Sequence, residues 1–569
     1  MCHNLRSLLY KTICQGLQNN ESTNLNIIYT SLRLEFDNSS KKFYFAFPLR
    51  SKYHDIRKDV PNILKNKSDR LFEYIESVKN DSKEIHFQLY KNHYIKELLE
   101  SLNHKITAPN CIYETPSNVV VEFSSPNIAK PFHVGHLRST IIGNYITNIN
   151  KFFNNNIKTI NYLGDWGTQF GYVGLGLSLC QISDEAIKKD PINVLYNAYV
   201  YANKLAETDA TIADRAREIF KDLENGNESS LKQWKAFKKY TLEELTKIYE
   251  RIGIKFDEYQ WESAYNIKEI SSLISEIKRL DLLSIDSKDR TVINLNEKRI
   301  VPIIKSDGSS LYITRDIAAA VNRYEQYKFD IMYYVVDNTQ TDHFINLIEI
   351  LNAMKLTWAN KLKHIKFGKI KGMSTRKGTS VFLQDLLNEI QAVMKQKQIQ
   401  SPNTKINLNY NDPSTEILGL SAVIINDLRH KRNQDYEFDW NKALDIRGDS
   451  GIKLQYTHSR LASLEENSGA TIASECIPSL LTEPEAENLI YYIGIFDEAL
   501  IKSYQKLEPY ILVNYLFQLS RATNTALKAL RIKDEPTELA NQRLLLMCTS
   551  RKVLAQGMKL LGLTPLNKM

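Results

Sequence analysis

The stretch Ser124–Gly143, SSPNIAKPFHVGHLRSTIIG, decides how the rest of the chain is arranged. Before it, Val119, Val120, Val121 and Phe123 make a short β-branched, apolar run of the kind that forms a strand buried on both faces. After it, Leu137, Ile141, Ile142, Tyr145 and Ile149 recur at helical spacing. The stretch therefore reads as a crossover from a parallel strand into a helix, whose first N–H groups lack intrahelical partners and form a ready site for phosphate. His133 and His136 fall on the first turn, and Gly135 between them leaves room for a flat base against the backbone. A lone His-x-x-His is more often a pair of surface histidines beside a tight turn, so the rest of the chain must decide.

Composition sets the bounds. A chain of 569 residues, 43% hydrophobic and 25% charged, is a soluble globular protein of roughly three or four domains. Lys plus Arg number 74 against 66 Asp plus Glu, a net charge of +8, which suits a polyanionic partner without requiring one. Cys2, Cys14, Cys111, Cys180, Cys476 and Cys548 form no C-x-x-C pair, so neither a disulfide framework nor a zinc site is expected. No apolar run approaches the length of a membrane span, and no membrane partner is expected. The opening MCHNLRSLLYKTICQGLQ carries Arg6 and Lys11 and no acid before Glu21. It reads either as a mitochondrial transit segment or as the first helix of an N-terminal domain.

Residues 1–110 mix helical spacing with strand-like patches such as Lys42–Phe47, KFYFAF, and carry no catalytic constellation. Beyond the opening crossover, Asn161–Gly171, NYLGDWGTQFG, leads from an apolar strand into a tightly turned loop. From about residue 182 to 265 the chain becomes charged and helical without a strand pattern, as helices inserted into an α/β core do, and ends near DEYQWES, Asp257–Ser263. In KSDGSSLYITRDIAAA, Lys305–Ala320, Tyr312 and Asp316 face one pocket if a helix begins near Thr314. Ile331–Val336 and His364–Phe367 read as further strands, with Asp337, Gln340 and His343 at the carboxyl end of the first. GMSTRKGTSVF, Gly372–Phe382, has the small, hydroxylic and cationic residues that suit phosphate. Residues 402–413 read as a linker, and helical periodicity dominates from there to Met569.

The first stretch resembles the HIGH signature of class I aminoacyl-tRNA synthetases, and its flanks, with NYLGDWGTQFG, resemble arginyl-tRNA synthetases. GMSTRKG resembles the KMSKS loop in its arginyl variant, with Gly372 and Thr375 in place of the two lysines. Asp439–Leu464 and the closing GMKLLGLTPLNKM resemble the anticodon-binding bundle of that family. The resemblance implies an α/β fold: a Rossmann-type parallel-sheet catalytic domain over 111–400 with a helical insertion around 182–265, a small N-terminal α+β domain over 1–110 that touches tRNA, and an all-α anticodon-binding bundle over 410–569.

It also implies an arginine–tRNA ligase that uses ATP, with Mg²⁺ carried on the phosphates and no protein metal site, and acts on L-arginine and tRNA(Arg). Arginine would be bound by Ser125, Asn127, Glu262, Tyr312, Asp316 and Gln340. ATP would lie against His133, Gly135, His136, Gly372, Met373 and Ser374, and tRNA against Tyr456 and Met569. His133, His136, Lys130, Arg376 and Lys377 would carry the catalytic work. A monomer in the mitochondrial matrix is the expectation, with the cytoplasm as the alternative. The chemistry agrees: a permanently charged, planar guanidinium with five donors needs acids in a fork arrangement and a hydroxylic or flat wall. One departure touches this pocket, since Trp261 stands where the family commonly has Gly ahead of Glu-Ser. The competing readings are an inactive RNA-binding paralogue and a class I synthetase for another amino acid.

The missing loop lysines leave a cation to be found for the α-phosphoryl oxygens at the transition state, and Lys130, three residues before His133, is beside the expected phosphate site. Lys130→Ala should then lower kcat about 10²–10³-fold with little change in the arginine KM, as loss of one oxyanion donor does. Steady-state kinetics check this, and a kcat within about threefold of wild type, worth under about 1 kcal/mol, would return the role to Arg376 or Lys377.

Overall fold

The computed structural model describes residues 5–10, 13, 29–48, 73–80, 83–109, 115–128, 132, 134–224, 226–296, 299–372, 383–400, 413–445 and 448–569. Near the N-terminus, β1 (Arg33–Asp37), β2 (Lys42–Pro48), β3 (Ile75–Asn80) and β4 (Glu84–Leu89) pair antiparallel in the order β1-β2-β4-β3. The period of two in KFYFAF places Phe43, Phe45 and Phe47 on one buried face. The helix Lys91–His104 buries Tyr94, Ile95, Leu98, Leu99 and Leu102, and Tyr94 meets Phe43 with ring centroids 5.1 Å apart.

Residues 5–10 are helical, and Leu5, Leu9 and Ile13 are buried. Arg6 is 1% exposed: its Nη2 donates to Glu498 Oε1 at 2.8 Å, its Nη1 donates to the Leu32 carbonyl, and its guanidinium lies 5.2 Å from the Phe45 ring centroid.

The middle of the chain is built on β5 (Asn118–Glu122), β6 (Asn156–Leu163), β7 (Glu258–Trp261), β8 (Leu283–Ile285), β9 (Thr291–Asn296), β10 (Arg299–Ile304), β11 (Ile331–Asp337) and β12 (Leu362–Phe367). Strands β8 to β10 make a small antiparallel sheet, while the other five are parallel in the order β12-β11-β5-β6-β7. The chain leaves β5 on one side through β6 and β7 and on the other through β11 and β12, so the order reverses there and opens a crevice at the carboxyl ends of the strands. As the apolar run predicts, Val119, Val120 and Val121 are each at most 2% exposed. The following helix, Val134–Phe152, buries Leu137, Ile141, Ile142, Tyr145 and Ile149. It comes down on the sheet at Gly143, where a Cβ would stand 2.2 Å from the Phe123 ring.

Three details differ from the sequence reading. The inserted helices, Asp184–Lys189, Pro191–Ala206, Ala210–Glu224 and Glu228–Arg251, stop before the chain rejoins the sheet as β7, inside the span read as strandless. EYQW is half-buried along its whole length at the sheet edge, so it needs no apolar run. The helix carrying Asp316 starts at Tyr312 rather than near Thr314. The third lies in the C-terminal half, helical otherwise, where Tyr436–Glu437 forms a two-residue strand parallel to Ile370–Lys371.

The helices Gly451–Asn467, Phe496–Lys506, Pro509–Ala529 and Thr537–Leu560 belong to that C-terminal half, and the helix Val134–Phe152 docks on it. Tyr145 Oη and Ser503 Oγ are 2.5 Å apart. Arg138, 1% exposed, donates to the carbonyls of Gln434 and Arg432 at 3.0 and 3.3 Å and to that of Gly368, and sits 3.3 Å from Asp427. Burial pushes the Asp427 carboxyl up to about 6 despite Arg138. The expected linker, apart from Pro413, lies outside the described residues.

Arg6→Ala should destabilise the protein by about 3–5 kcal/mol, because it breaks a buried ion pair and leaves Glu498, among the described residues, with only the Leu34 N–H and Lys502 at 3.5 Å. Denaturant titration checks this, and an unchanged midpoint would mean that the N-terminal helix is not held there.

Candidate active site

Ser124 and Ser125 follow β5 with φ of 71° and 44°, left-handed conformations that are uncommon for residues with a side chain and recur at functional sites. Neighbouring elements hold them. Ser124 Oγ accepts from Thr140 Oγ1 at 2.8 Å and lies 2.7 Å from Tyr249 Oη, while its N–H donates to Ser139 Oγ at 3.0 Å. Ser125 N–H donates to Asn161 Oδ1 at 3.1 Å, and Asn161 Nδ2 donates to Tyr249 Oη at 2.9 Å. Asn127 then bridges to Gly164 in parallel fashion, bringing the β5 turn against the GDWG loop.

Four acids gather at the strand ends. Glu122, at the end of β5, is 5% exposed and accepts from Arg323 Nη1 at 2.5 Å and Ser125 Oγ at 3.4 Å. Asp165, fully buried after β6, accepts from the Ser263 N–H and Oγ at 2.9 and 2.6 Å and pairs with Lys238 at 2.8 Å. Glu262, just after β7 and 6% exposed, accepts from Arg315 Nε at 2.9 Å. Asp316, partly buried on the helix Tyr312–Tyr327, lies 2.7 Å from His343 Nε2. Burial pushes the Glu262 carboxyl up to about 7, with Arg315 opposing and Asp316 and Asp165 reinforcing the rise.

Tyr312 is 57% exposed, and its hydroxyl stands 3.6 Å from where a Cβ on Gly167 would be, facing the GDWG loop. Trp261, the departure from the family pattern, is extended, and its ring lies 4.0 Å from Lys238 Nζ, which thus packs between Trp261 and Trp234 while it pairs with Asp165. Gln340 is exposed, in the 3-10 turn Asn338–Gln340 after β11.

His136 lies in the first turn of its helix, stacked on Phe132 with centroids 5.4 Å apart, and Gly135 beside it is exposed. The Phe132 carbonyl accepts from Leu383 N–H at 2.8 Å, so the chain leaving the GMSTRKG loop is tied to the HIGH turn. Gly372 leads into that loop at φ 70°. Lys130, His133, Met373, Ser374, Arg376 and Lys377 lie outside the described residues. Tyr456 and Met569 belong to the C-terminal half, not the strand-end crevice. Tyr456 is 43% exposed, and Met569 packs beside Leu444 and Ile452 where His458 Nδ1 donates to the Leu566 carbonyl at 2.8 Å.

The structure brings Ser125, Asn127, Glu262, Tyr312 and Asp316 to the carboxyl edge of one sheet, and adds residues the sequence reading missed: Asp165, Glu122, Lys238, Arg315 and Arg323. The first is the D of GDWG, a signal that was available. The three cations are single charges within helices, which sequence alone presents as solvated.

Residues 97–440 match the family model of tRNA synthetases class I (R), catalytic domain, and residues 454–569 match the DALR anticodon binding domain. A probable mitochondrial arginine–tRNA ligase of Mus musculus is 41% identical over 488 residues, covering 83% of this chain and 84% of its own length. The cytoplasmic arginine–tRNA ligase of Saccharomyces cerevisiae is 38% identical, covering 87% and 84%. The crystal structure of an arginyl-tRNA synthetase from Plasmodium falciparum superposes with a TM-score of 0.78 at 25% identity, covering 99% of this chain and 98% of that one.

Glu262 gives the pocket a pH signature. The groups facing it are Arg315, Asp316, Asp165 and the hydroxyls of Tyr162 and Tyr312. A cationic ligand needs its ionised form, and protonation below about 7 removes that charge. Calorimetric affinity for L-arginine should thus fall as pH drops through about 7 and level off above it; a flat profile down to about pH 5 would contradict the pocket's electrostatics.

Proposed function

The chain belongs to the arginyl-tRNA synthetases of class I, and from that membership we infer how its residues divide the work. It is an arginine–tRNA ligase, and it activates L-arginine with ATP for transfer to tRNA(Arg). The arginine carboxylate attacks the α-phosphorus of ATP, and pyrophosphate leaves. A ribose hydroxyl of the terminal tRNA adenosine then attacks the carbonyl of the adenylate, and AMP leaves. No covalent enzyme intermediate forms, so the protein positions the reactants and stabilises charge.

In our reading the guanidinium lies between Glu262 and Asp316 with Tyr312 as its wall, and Ser125, Asn127 and Gln340 hold the α-amino and carboxylate ends. The observation that carries it is the convergence of Glu262, Tyr312 and Asp316, from two separate segments, at one strand-end crevice. His133, Gly135, His136 and Gly372 to Ser374 hold ATP, and Lys130, Arg376 and Lys377 face its phosphates. Mg²⁺ rides on the ATP phosphates rather than in a cage of protein ligands, as suits a small cation that keeps several waters.

The bundle from about residue 410 reads the anticodon through Tyr456 and Met569, a reading supported by the match at 454–569 and the exposure of Tyr456. The remaining division is an N-terminal tRNA-contacting domain over 1–110 and a catalytic domain over 111–400. We place the enzyme in the mitochondrial matrix as a monomer. The mouse relative supports that compartment, and the yeast cytoplasmic relative keeps the cytoplasm as the alternative.

ATP–pyrophosphate exchange measured across the amino acids, with and without tRNA, should respond to arginine alone. Asp316→Asn should raise the arginine KM by the equivalent of about 3–5 kcal/mol, the scale for a buried charge that loses its partner, while leaving the KM for ATP unchanged. An unchanged arginine KM would overturn the pocket assignment.

A further inference from the structure

Of the four acids at the strand ends, three already have a cation from this chain: Glu122 has Arg323, Asp165 has Lys238 and Glu262 has Arg315. Asp316 alone faces an imidazole. We propose that Arg315 is a positioning residue for arginine recognition: it supplies the counter-charge of Glu262 and aims that carboxylate, leaving Asp316 as the acid whose charge the substrate cation must match. This rests on the reading that Glu262 and Asp316 receive the substrate guanidinium.

The geometry fits aiming rather than blocking. Arg315 Nε donates to Glu262 Oε1 only, and its Nη1 is held by Ser310 Oγ at 2.7 Å, so the guanidinium is pinned from both sides. Among the described residues Glu262 Oε2 accepts no hydrogen bond, which leaves one acceptor of the fork open. Arg315 is 6% exposed and so sits in the wall, not the opening. Glu262 and Asp316 with the one guanidinium of Arg315, which Glu224 also faces, leave negative charge unmatched, and a substrate guanidinium balances it. A neutral side chain of the same shape would leave Asp316 without its cation.

The two acids then respond differently to loss of charge. Glu262→Gln leaves the Arg315 cation uncompensated beside the substrate cation, so the damage comes largely from repulsion. Removing that cation as well should relieve it. Calorimetric titration with L-arginine, without ATP or tRNA, should show Glu262→Gln weakened about 100-fold and the Glu262→Gln/Arg315→Gln double variant about tenfold tighter than Glu262→Gln, the scale of coupling between contacting charges. Arg315→Gln alone should bind more weakly than wild type, and Arg315→Lys, which keeps the charge but not the two-point tether to Glu262 and Ser310, should fall between the two. The Arg315→Lys arm carries the test if the double variant does not fold.

A double variant no tighter than Glu262→Gln, an Arg315→Lys as damaged as Arg315→Gln, or an Arg315→Gln that binds arginine tighter than wild type would each overturn the proposal. Asp316→Asn, measured alongside, separates this from the underlying reading. Wild-type affinity in that variant would mean that the pocket itself is misassigned, whereas its loss without rescue in the cycle would sink only the role of Arg315.

Discussion

Two consecutive serines in left-handed conformation turn the chain out of β5, and the catalytic half is arranged to keep them there. Such residues cost about 1–3 kcal/mol each and persist only where the surroundings over-determine them. Here the restraints come from separate places in the sequence: Tyr249 at the end of the longest inserted helix, Asn161 on β6, and Ser139 and Thr140 on the helix Val134–Phe152. Ser139 Oγ also donates to the Val335 carbonyl of β11 at 2.7 Å, so one turn is tied to β6, β11, the insertion and the helix that carries His136. That connection explains why the helical insertion between β6 and β7 bears on the shape of the pocket.

Charge is the second constraint. Buried acids are tolerated at the strand ends because each is matched, and the matching cations come from elements that also shape the site: Lys238 from the insertion, Arg315 and Arg323 from the helix Tyr312–Tyr327. Arg323 further donates to Gln260 Oε1 at 2.7 Å and lies 4.7 Å from the Tyr162 ring, which fixes β7 against β6. Of the four acids at the strand ends, Asp316 is the one that faces an imidazole rather than a guanidinium or ammonium of this chain, and it is the one we propose for the substrate cation.

Much of this was legible in the sequence. Buried parallel strands announce themselves as apolar runs, so β5, β6, β11 and β12 were placed, and the five buried positions on the helix after the HIGH turn followed from period alone. β7 was not, because an edge strand half-buried throughout carries no apolar signature. The basic N-terminal stretch was ambiguous for a related reason: amphipathic spacing looks the same whether the basic residue meets solvent or, as Arg6 does, a carboxylate from a helix nearly 500 residues away in the chain. Glu262 and Asp316 were found through their motifs and Asp165 was passed over in its own, while Glu122 and the partners Arg315, Arg323 and Lys238 were invisible until the fold placed them. Trp261 looked like a defect of pattern and turned out to be a wall for Lys238.

The central claim is that one unmatched negative charge at the carboxyl edge of the parallel sheet selects the substrate. Calorimetric titration of the wild-type protein with L-arginine and with L-citrulline, its uncharged isostere, tests it directly. The account predicts that arginine binds at least about 100-fold more tightly, because citrulline leaves a partly buried carboxylate without its cation. Affinities within about threefold of each other, a difference below about 1 kcal/mol, would contradict it.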